Sequence, residues 1–469
     1  MELWTGHMPI LKPGIKPGTY TLHLPPFTTR HLLACSLLWC YLAVSSSALA
    51  AEPWTLERAL DQALTANPDA RLARHRIAAA QAGLDQANSA FWPRVQFQSS
   101  YTRTDNPMMV FGSILNQRAY SPSLNFNDVP DVDNLNAKGL VTVPLYTGGR
   151  TKANRQAAKA NTKAARQDNQ AVRNALGFEV ARAFHTVLKS REFIRAAEAA
   201  VNAYETNIVI AKRRLEGGTV LKTDVLDLEV RLAQAREDLV RARNANALAI
   251  RVLRNLVGLD QGEFAVAETF PNIAAPDFLD YASRAELAAA RQRTRAAEEQ
   301  ARAAKSGFLP RLNAFGSLDY DYGWKYDNGG TSYTAGGMLQ WDIWDGNLTR
   351  ARVREAKASL ESAQEEERKL RLALDLELEQ ARLDLKTANE RLVVTQHAIA
   401  QATESANLTR VRFEQGASLS TQLVDAETAL LAARVRRAEA EADQRIAVAA
   451  LRKALGLPQL DATPKPENR

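Results

Sequence analysis

The sequence predicts a mainly α-helical protein with a small membrane β portion, built from two internal repeats. Three observations carry that prediction. Residues 214–229 are written again as residues 412–427, every position displaced by 198. Each copy closes a long Pro-free stretch; residues 150–215 hold no Pro and one Gly, Gly177. At 1.5 Å per residue such a stretch is a helix of about 100 Å, a strut rather than a piece of globular core. Ahead of each strut lie two segments whose apolar residues alternate, the period of a strand.

Residues 1–50 read as a signal peptide. Lys12, Lys16 and Arg30 precede an apolar run at 31–44, and Ser45 to Ala50 supply a small-x-small cleavage site. The run is too short to span a bilayer as a helix, and Met8 offers a later start. Cys35 and Cys40, the two cysteines, both fall here, which leaves the remainder without disulfide or thiol chemistry. Cys35 lies too early in the apolar run to suit lipoprotein processing. The net charge of +7 is spread along helices, which argues against a nucleic-acid binder. Beyond residue 51 no run of 18 apolar residues could cross a membrane as a helix.

The first unit, residues 51–259, opens with an amphipathic helix that Asn67-Pro68 ends and restarts, as N-cap and first helical residue. Pro93, in Phe91-Trp92-Pro93-Arg94, stops the second helix. A strand follows with Val95, Phe97 and Tyr101 on one side and Gln96, Gln98 and Ser100 on the other. Residues 105–136, rich in Asn, Pro, Asp and Ser, read as a long loop. The next strand alternates Val141, Val143 and Leu145 and ends at Thr147-Gly148-Gly149. The strut then runs to a Gly-containing tip, where a helix stops and restarts at once as a helical hairpin, and the return helix closes at Gly258. Residues 260–276, with Pro271 and Pro276, read as an inter-repeat linker. Residues 277–457 replay the unit, and residues 458–469 form a polar tail.

Comparison of the copies locates a length difference. Phe91-Trp92-Pro93-Arg94 matches Phe308-Leu309-Pro310-Arg311 at an offset of 217, whereas residues 140–259 match at 198. The 19 extra residues therefore lie in the first unit's loop, and the struts are equal. In the second unit Leu312, Ala314, Leu318, Tyr320, Tyr322 and Trp324 share one strand face, and Tyr333, Ala335, Leu339, Trp341 and Ile343 the next. Strands of about ten residues with an aromatic-rich face suit an outer-membrane sheet. Four strands cannot close a barrel and a bilayer tolerates no open edge, so several copies must pool their strands.

This ordered series resembles the TolC family of outer-membrane efflux and secretion channels. Its carriers are the duplicated Phe-x-Pro-Arg joint, the exit Val143-Pro144-Leu145-Tyr146-x-Gly148-Gly149 with its copy Trp341-Asp342-Ile343-Trp344-Asp345-Gly346, and the duplicated tips. The resemblance implies a homotrimer with one barrel in outer-membrane lipid and a helical tube in the periplasm. It also implies a periplasmic adaptor and an inner-membrane pump as partners, with no cofactor and no enzymatic activity. It assigns the periplasmic gate to Thr223, Asp224, Asp227, Thr421 and Asp425. Adaptor docking falls to the tips, Gly218, Thr219, Val220 and Leu221 with Gly416, Ala417, Ser418 and Leu419. The membrane aromatics are Tyr320, Tyr322, Trp324, Tyr333 and Trp341. Ser418 stands where well-known members carry a coil-tying Arg, and Gln422 where they carry a ring Asp. Asp425 reads either as a cation-attracting ring at the axis or, like Asp227, as an acid stabilised by a helix N-terminus.

His75, His185 and His397 lie on different helices, which argues against a metal site. The rival from another class is an exported structural or adhesive coiled-coil stalk, which leaves the strand duplication unexplained.

Overall fold

A computed structural model describes residues 53–460 except 126, 262–263, 269–272 and 277–279; the signal peptide at 1–50 and the tail from 461 lie outside the described residues. Helix α1 (Leu56–Ala66) is capped by Thr55, whose side chain accepts from the Arg58 amide. Asn67 ends it and caps α2 (Pro68–Ser89), accepting from the Asp69 amide at 2.7 Å while its own amide group donates to the Leu256 carbonyl. Then come β1 (Arg94–Thr104), α3 (Pro107–Asn116), β2 (Val132–Tyr146), the 67-residue strut α4 (Arg150–Glu216) and its return α5 (Lys222–Val257). The second unit supplies α6 (Ala285–Lys305), β3 (Arg311–Gly323), β4 (Asn328–Gln340), the 67-residue strut α7 (Leu348–Glu414) and α8 (Ser420–Ala454).

The equality of the two struts is as expected; one stretch differs. Residues 105–136 are not a plain loop. Asn106 caps α3 through the Met108 and Met109 amides, Pro107 takes the first helical position, and Val110 and Ile114 bury against Val132. Within the inter-repeat linker, the described residues 264–267 dock against the start of the first unit. Trp54 and Val266 form a parallel bridge, the Trp54 ring stacks on Phe264 at 5.0 Å, and Val266 and Ala267 are buried. The tail begins packed, because the Gln459 side chain donates to the Ala449 carbonyl and Leu460 lies on the core.

The strands form one antiparallel sheet in the order β1-β2-β3-β4. β2 and β3 join the two repeats, with Gly139 opposite Leu318, and the chain's own sheet leaves β1 and β4 as edges. Pro144 sits beyond the end of β1 pairing, next to a register shift against β3, where its missing N–H costs no ladder bond.

Where the linker docks, the core gathers Leu56, Leu60, Val180, Phe184, Val187, Leu253 and Val257 from α1, α4 and α5. His185 is buried beside it, and burial, helped by the Arg445 charge, pushes its pKa down from 6.5 to about 4. The unfolded chain takes up this proton below pH 6.5 while the fold resists until about pH 4. Stability from this residue is therefore full above pH 6.5 and falls by about 1.4 kcal/mol per pH unit across the window, ~3 kcal/mol in all. His185→Leu, the residue its repeat counterpart Leu383 already has, is expected to flatten that dependence in denaturant unfolding followed by circular dichroism. An unchanged pH slope in the variant would refute the assignment.

Candidate functional site

Two candidate functional surfaces lie at opposite ends of the struts, the sheet and the paired tips. Strand register divides the sheet into two faces. Val95, Phe97 and Tyr101 align with Val141, Gly139 and Leu135, these with Gly316, Leu318 and Tyr322, and Leu318 with Tyr333. Phe97 is 76% exposed and Tyr333 82%, an apolar surface with no cover within the chain. The opposite face is polar. Asn134 and Asn136 donate to Asp321 Oδ1 at 2.6 and 3.0 Å, Lys138 pairs with Asp319 at 3.4 Å, and Ser317 donates to Asp319. Apolar outside and polar inside is the signature of a membrane barrel wall.

Of the five aromatics expected on membrane strands, Tyr320, Tyr322 and Tyr333 lie in strands and Trp324 and Trp341 do not. Trp324 occupies the β3–β4 turn, edge-on to Tyr101 at 5.7 Å and Tyr322 at 5.3 Å. Trp341 follows β4, and its ring N–H donates to the Phe308 carbonyl at the helix-to-strand joint. Both strand ends are thus marked by Trp, whose amphipathic ring suits a membrane–water interface.

At the other end the two tips are built alike. In the first, the Gly218 amide donates to the Leu215 carbonyl at 3.0 Å and the Thr219 amide to the Arg214 carbonyl at 2.9 Å; in the second, Gly416 donates to Phe413 at 3.1 Å and Ala417 to Arg412 at 2.8 Å. This double bond pattern needs a left-handed residue, and Gly218 and Gly416 supply it with φ of 69° and 83°. Leu221 and Leu419 then occupy the N-cap positions of α5 and α8. Asp224 Oδ2 accepts from the Leu221 amide at 2.8 Å, and Gln422 Oε1 from the Leu419 amide at 3.3 Å, so both do the same capping work.

Asp224 does a second job. Its Oδ1 accepts from Ser420 Oγ at 2.5 Å, which ties the first tip to the second. A larger tie comes from Arg214, which donates to the Phe413 carbonyl at 2.6 Å, sets its guanidinium 4.8 Å from the Phe413 ring, and bonds Thr219 on its own tip. Phe413 is fully buried among Ile208, Ala211, Leu228 and Leu423. Thr223, Thr421, Asp227 and Asp425 are exposed near the tips, and Gly218, Thr219, Gly416 and Ala417 with them, while Val220 and Ser418 are half-covered. Sequence reasoning did not single out Arg214 or Ser420. The available signal was that Arg214 and Arg412 repeat as the cation one turn before each tip glycine.

Comparison with known proteins agrees with this arrangement. The outer membrane efflux protein family matches residues 59–259 and 281–457. The chain is 25% identical over 316 residues to the outer membrane protein TolC of Vibrio cholerae, covering 63% of this chain and 72% of that one. It is 26% identical over 219 residues to the alkaline protease secretion protein AprF of Pseudomonas aeruginosa, covering 46% of this chain and 42% of that one. The fold matches the CmeC outer membrane channel of Campylobacter jejuni with a TM-score of 0.77 and 17% identity, over 87% of each chain. With the family model matching both repeats, the chain belongs to the outer membrane efflux protein family, the TolC-like channels of the outer membrane.

Proposed function

We propose that the chain works as a homotrimer, the passive exit duct of a tripartite efflux or type I secretion system, closed at its periplasmic tips and docked there by an adaptor that links it to an inner-membrane pump. The carrying observation is the sheet, apolar and exposed on one side, polar on the other and open at both edges. Two copies would give a barrel of about eight strands, whose interior side chains fill. Three is the smallest number that leaves a lumen. A stalk protein has no use for such a sheet.

The struts ask for neighbours too. Within the chain α4 packs on α5 and α8, and α7 on α8. Ala196, Val424 and Ala438 are buried on α4 and α8, yet their repeat counterparts on α7 and α5, Val394, Leu226 and Val240, are exposed. The uncovered residues are those a next copy would bury if its α5 packed on α7 as α8 packs on α4. At the tips Leu221 and Leu419 are 70% and 68% exposed, large apolar side chains in equivalent places, which favours them as the adaptor's anchors.

The test combines location and assembly. Cell fractionation is expected to place the protein in the outer membrane, an unheated gel to show a trimer-sized band, and a planar bilayer to show discrete conductance. A soluble monomer would overturn the reading.

A further inference from the structure

We propose that α3 lies inside the bore of the barrel, and that the three copies of it in a trimer meet on their exposed apolar faces and plug the barrel at the end away from the struts. This rests on the trimeric-duct reading above.

Strand alternation places the helix. Asp321 belongs to the polar face, where Asn134 and Asn136 donate to it. Gly323 stands two residues further along β3 and Gly330 directly across from Asp321 on β4, so both turn the position of a side chain to that same face. A Cβ at Gly323 would collide with the Gln117 side chain, and one at Gly330 with the Asn116 carbonyl oxygen. The end of α3 therefore presses on the polar face where glycine leaves it room. It is also fastened there. Gln117, fully buried, donates to the Asp133 carbonyl at 2.7 Å and to Asn134 Oδ1 at 2.8 Å, and Asn328 donates to the Arg118 carbonyl at 3.0 Å. These partners open β2 and β4, which run from here to the struts that follow them, so α3 sits at the far end of the sheet.

The helix is apolar on two sides. Val110 and Ile114 bury towards Val132, whereas Met108, Phe111 and Leu115, at i, i+3 and i+7, form a second stripe that is exposed, 78% so at Met108. Met109 flanks it. Three copies of the four-stranded sheet give twelve strands, about 4.8 Å apart and tilted about 40°, hence a bore about 24 Å across between backbones. Three helices of about 10–12 Å diameter, packed round one axis, span about 22–26 Å. The free stripe of each α3 then faces the other two. Residues 107–116 carry no charge, so gathering three copies at the axis brings no like charges together.

The second unit turns from β3 to β4 within residues 324–327, so the plug comes from the first unit's longer loop. A constriction of apolar side chains excludes water and ions by dewetting, without an ionic lock. Met108 and Met109, unbranched and adaptable, suit a contact that reseals behind cargo of varied shape.

Cysteine chemistry in the full-length protein tests this, because the described residues contain no cysteine. Met108→Cys and Leu115→Cys, each alone and both on the exposed stripe, are expected to give disulfide-linked dimers on a denaturing gel. Thr334→Cys reports passage from outside: it lies on the polar face of β4, four residues from Gly330 towards the struts. On intact cells its reaction with a membrane-impermeant maleimide is expected to be slow, and several-fold faster once Phe111→Asp sets a carboxylate in the plug. Gln117→Ala, which unfastens the helix, is expected to speed it as well. In a protein that runs as a trimer on an unheated gel, absence of dimers from both single cysteines, with Thr334→Cys labelling as fast without Phe111→Asp as with it, would overturn the proposal. Rapid reaction of Met108→Cys with a bulky polymer-linked maleimide would do so too, by giving the stripe to an extracellular partner, and reaction with a lipid-soluble maleimide by giving it to the bilayer. Absence of the trimer in wild type would instead overturn the duct reading beneath it.

Discussion

Leu318→Arg is expected to abolish accumulation of the assembled protein in the outer membrane. Leu318 sits midway along β3 on the apolar face, between Gly139 and Tyr333 in register and 64% exposed within the chain. A guanidinium at bilayer mid-depth on the lipid face of a barrel costs about 2–4 kcal/mol. Pooling three copies triples this to ~6–12 kcal/mol, comparable with the whole stability of a typical folded domain at about 5–15 kcal/mol. The control is Ser332→Arg, on the opposite face and directly across from Asp319. There the new cation meets a carboxylate and water, so assembly is expected at wild-type yield with reversal potential shifted towards anions. The measurement is the amount of heat-modifiable trimer in the outer-membrane fraction. Normal assembly of Leu318→Arg together with failure of Ser332→Arg would reverse the assignment of the two faces.

That contrast of faces was legible in the residues themselves, because side-chain period two is local and each strand displays it alone. The struts were equally legible, being long runs free of helix breakers. Segments whose structure depends on what they touch were not. Helix α3 carries the same Asn-Pro start as α2, Asn106-Pro107 beside Asn67-Pro68, yet polar composition over residues 105–136 outweighed that signal. What fixes α3 is burial of Val110 and Ile114 against Val132 at the start of β2, across the chain's own loop. Phe264 and Val266 were hidden in the same way by the flanking Pro271 and Pro276, and their order comes from Trp54, about two hundred residues earlier. At the tips, the repeat showed where the mouth is but not what fastens it. Asp224 was marked as a gate residue by the family resemblance, whereas its position gives it a capping bond first and the bond to Ser420 second. Which carbonyl Arg214 reaches depends on how two hairpins 198 residues apart lie together, and no local pattern encodes that.

Phe413→Ala is expected to unfasten the tips while leaving the barrel intact. The ring is fully buried in a cluster fed by α4, α5 and α8, so truncation removes its transfer energy and leaves a cavity, about 3–5 kcal/mol together. It also removes the face under the Arg214 guanidinium, worth about 0.5–2 kcal/mol more. The loss falls at the end of a strut about 100 Å from the sheet. Trimers are therefore expected to survive on an unheated gel while protease cleavage between Gly416 and Leu419 accelerates and the bilayer current becomes continuously open. Phe413→Leu separates packing from the aromatic contact, because Leu is what the first copy carries at Leu215. It keeps most of the buried volume at a cost under about 1.5 kcal/mol, so its tips should stay protease-resistant while open events become longer. If Phe413→Ala left both cleavage rate and current at wild-type levels, the cluster around Phe413 would not be what keeps the mouth closed. Contacts between chains would then carry closure alone.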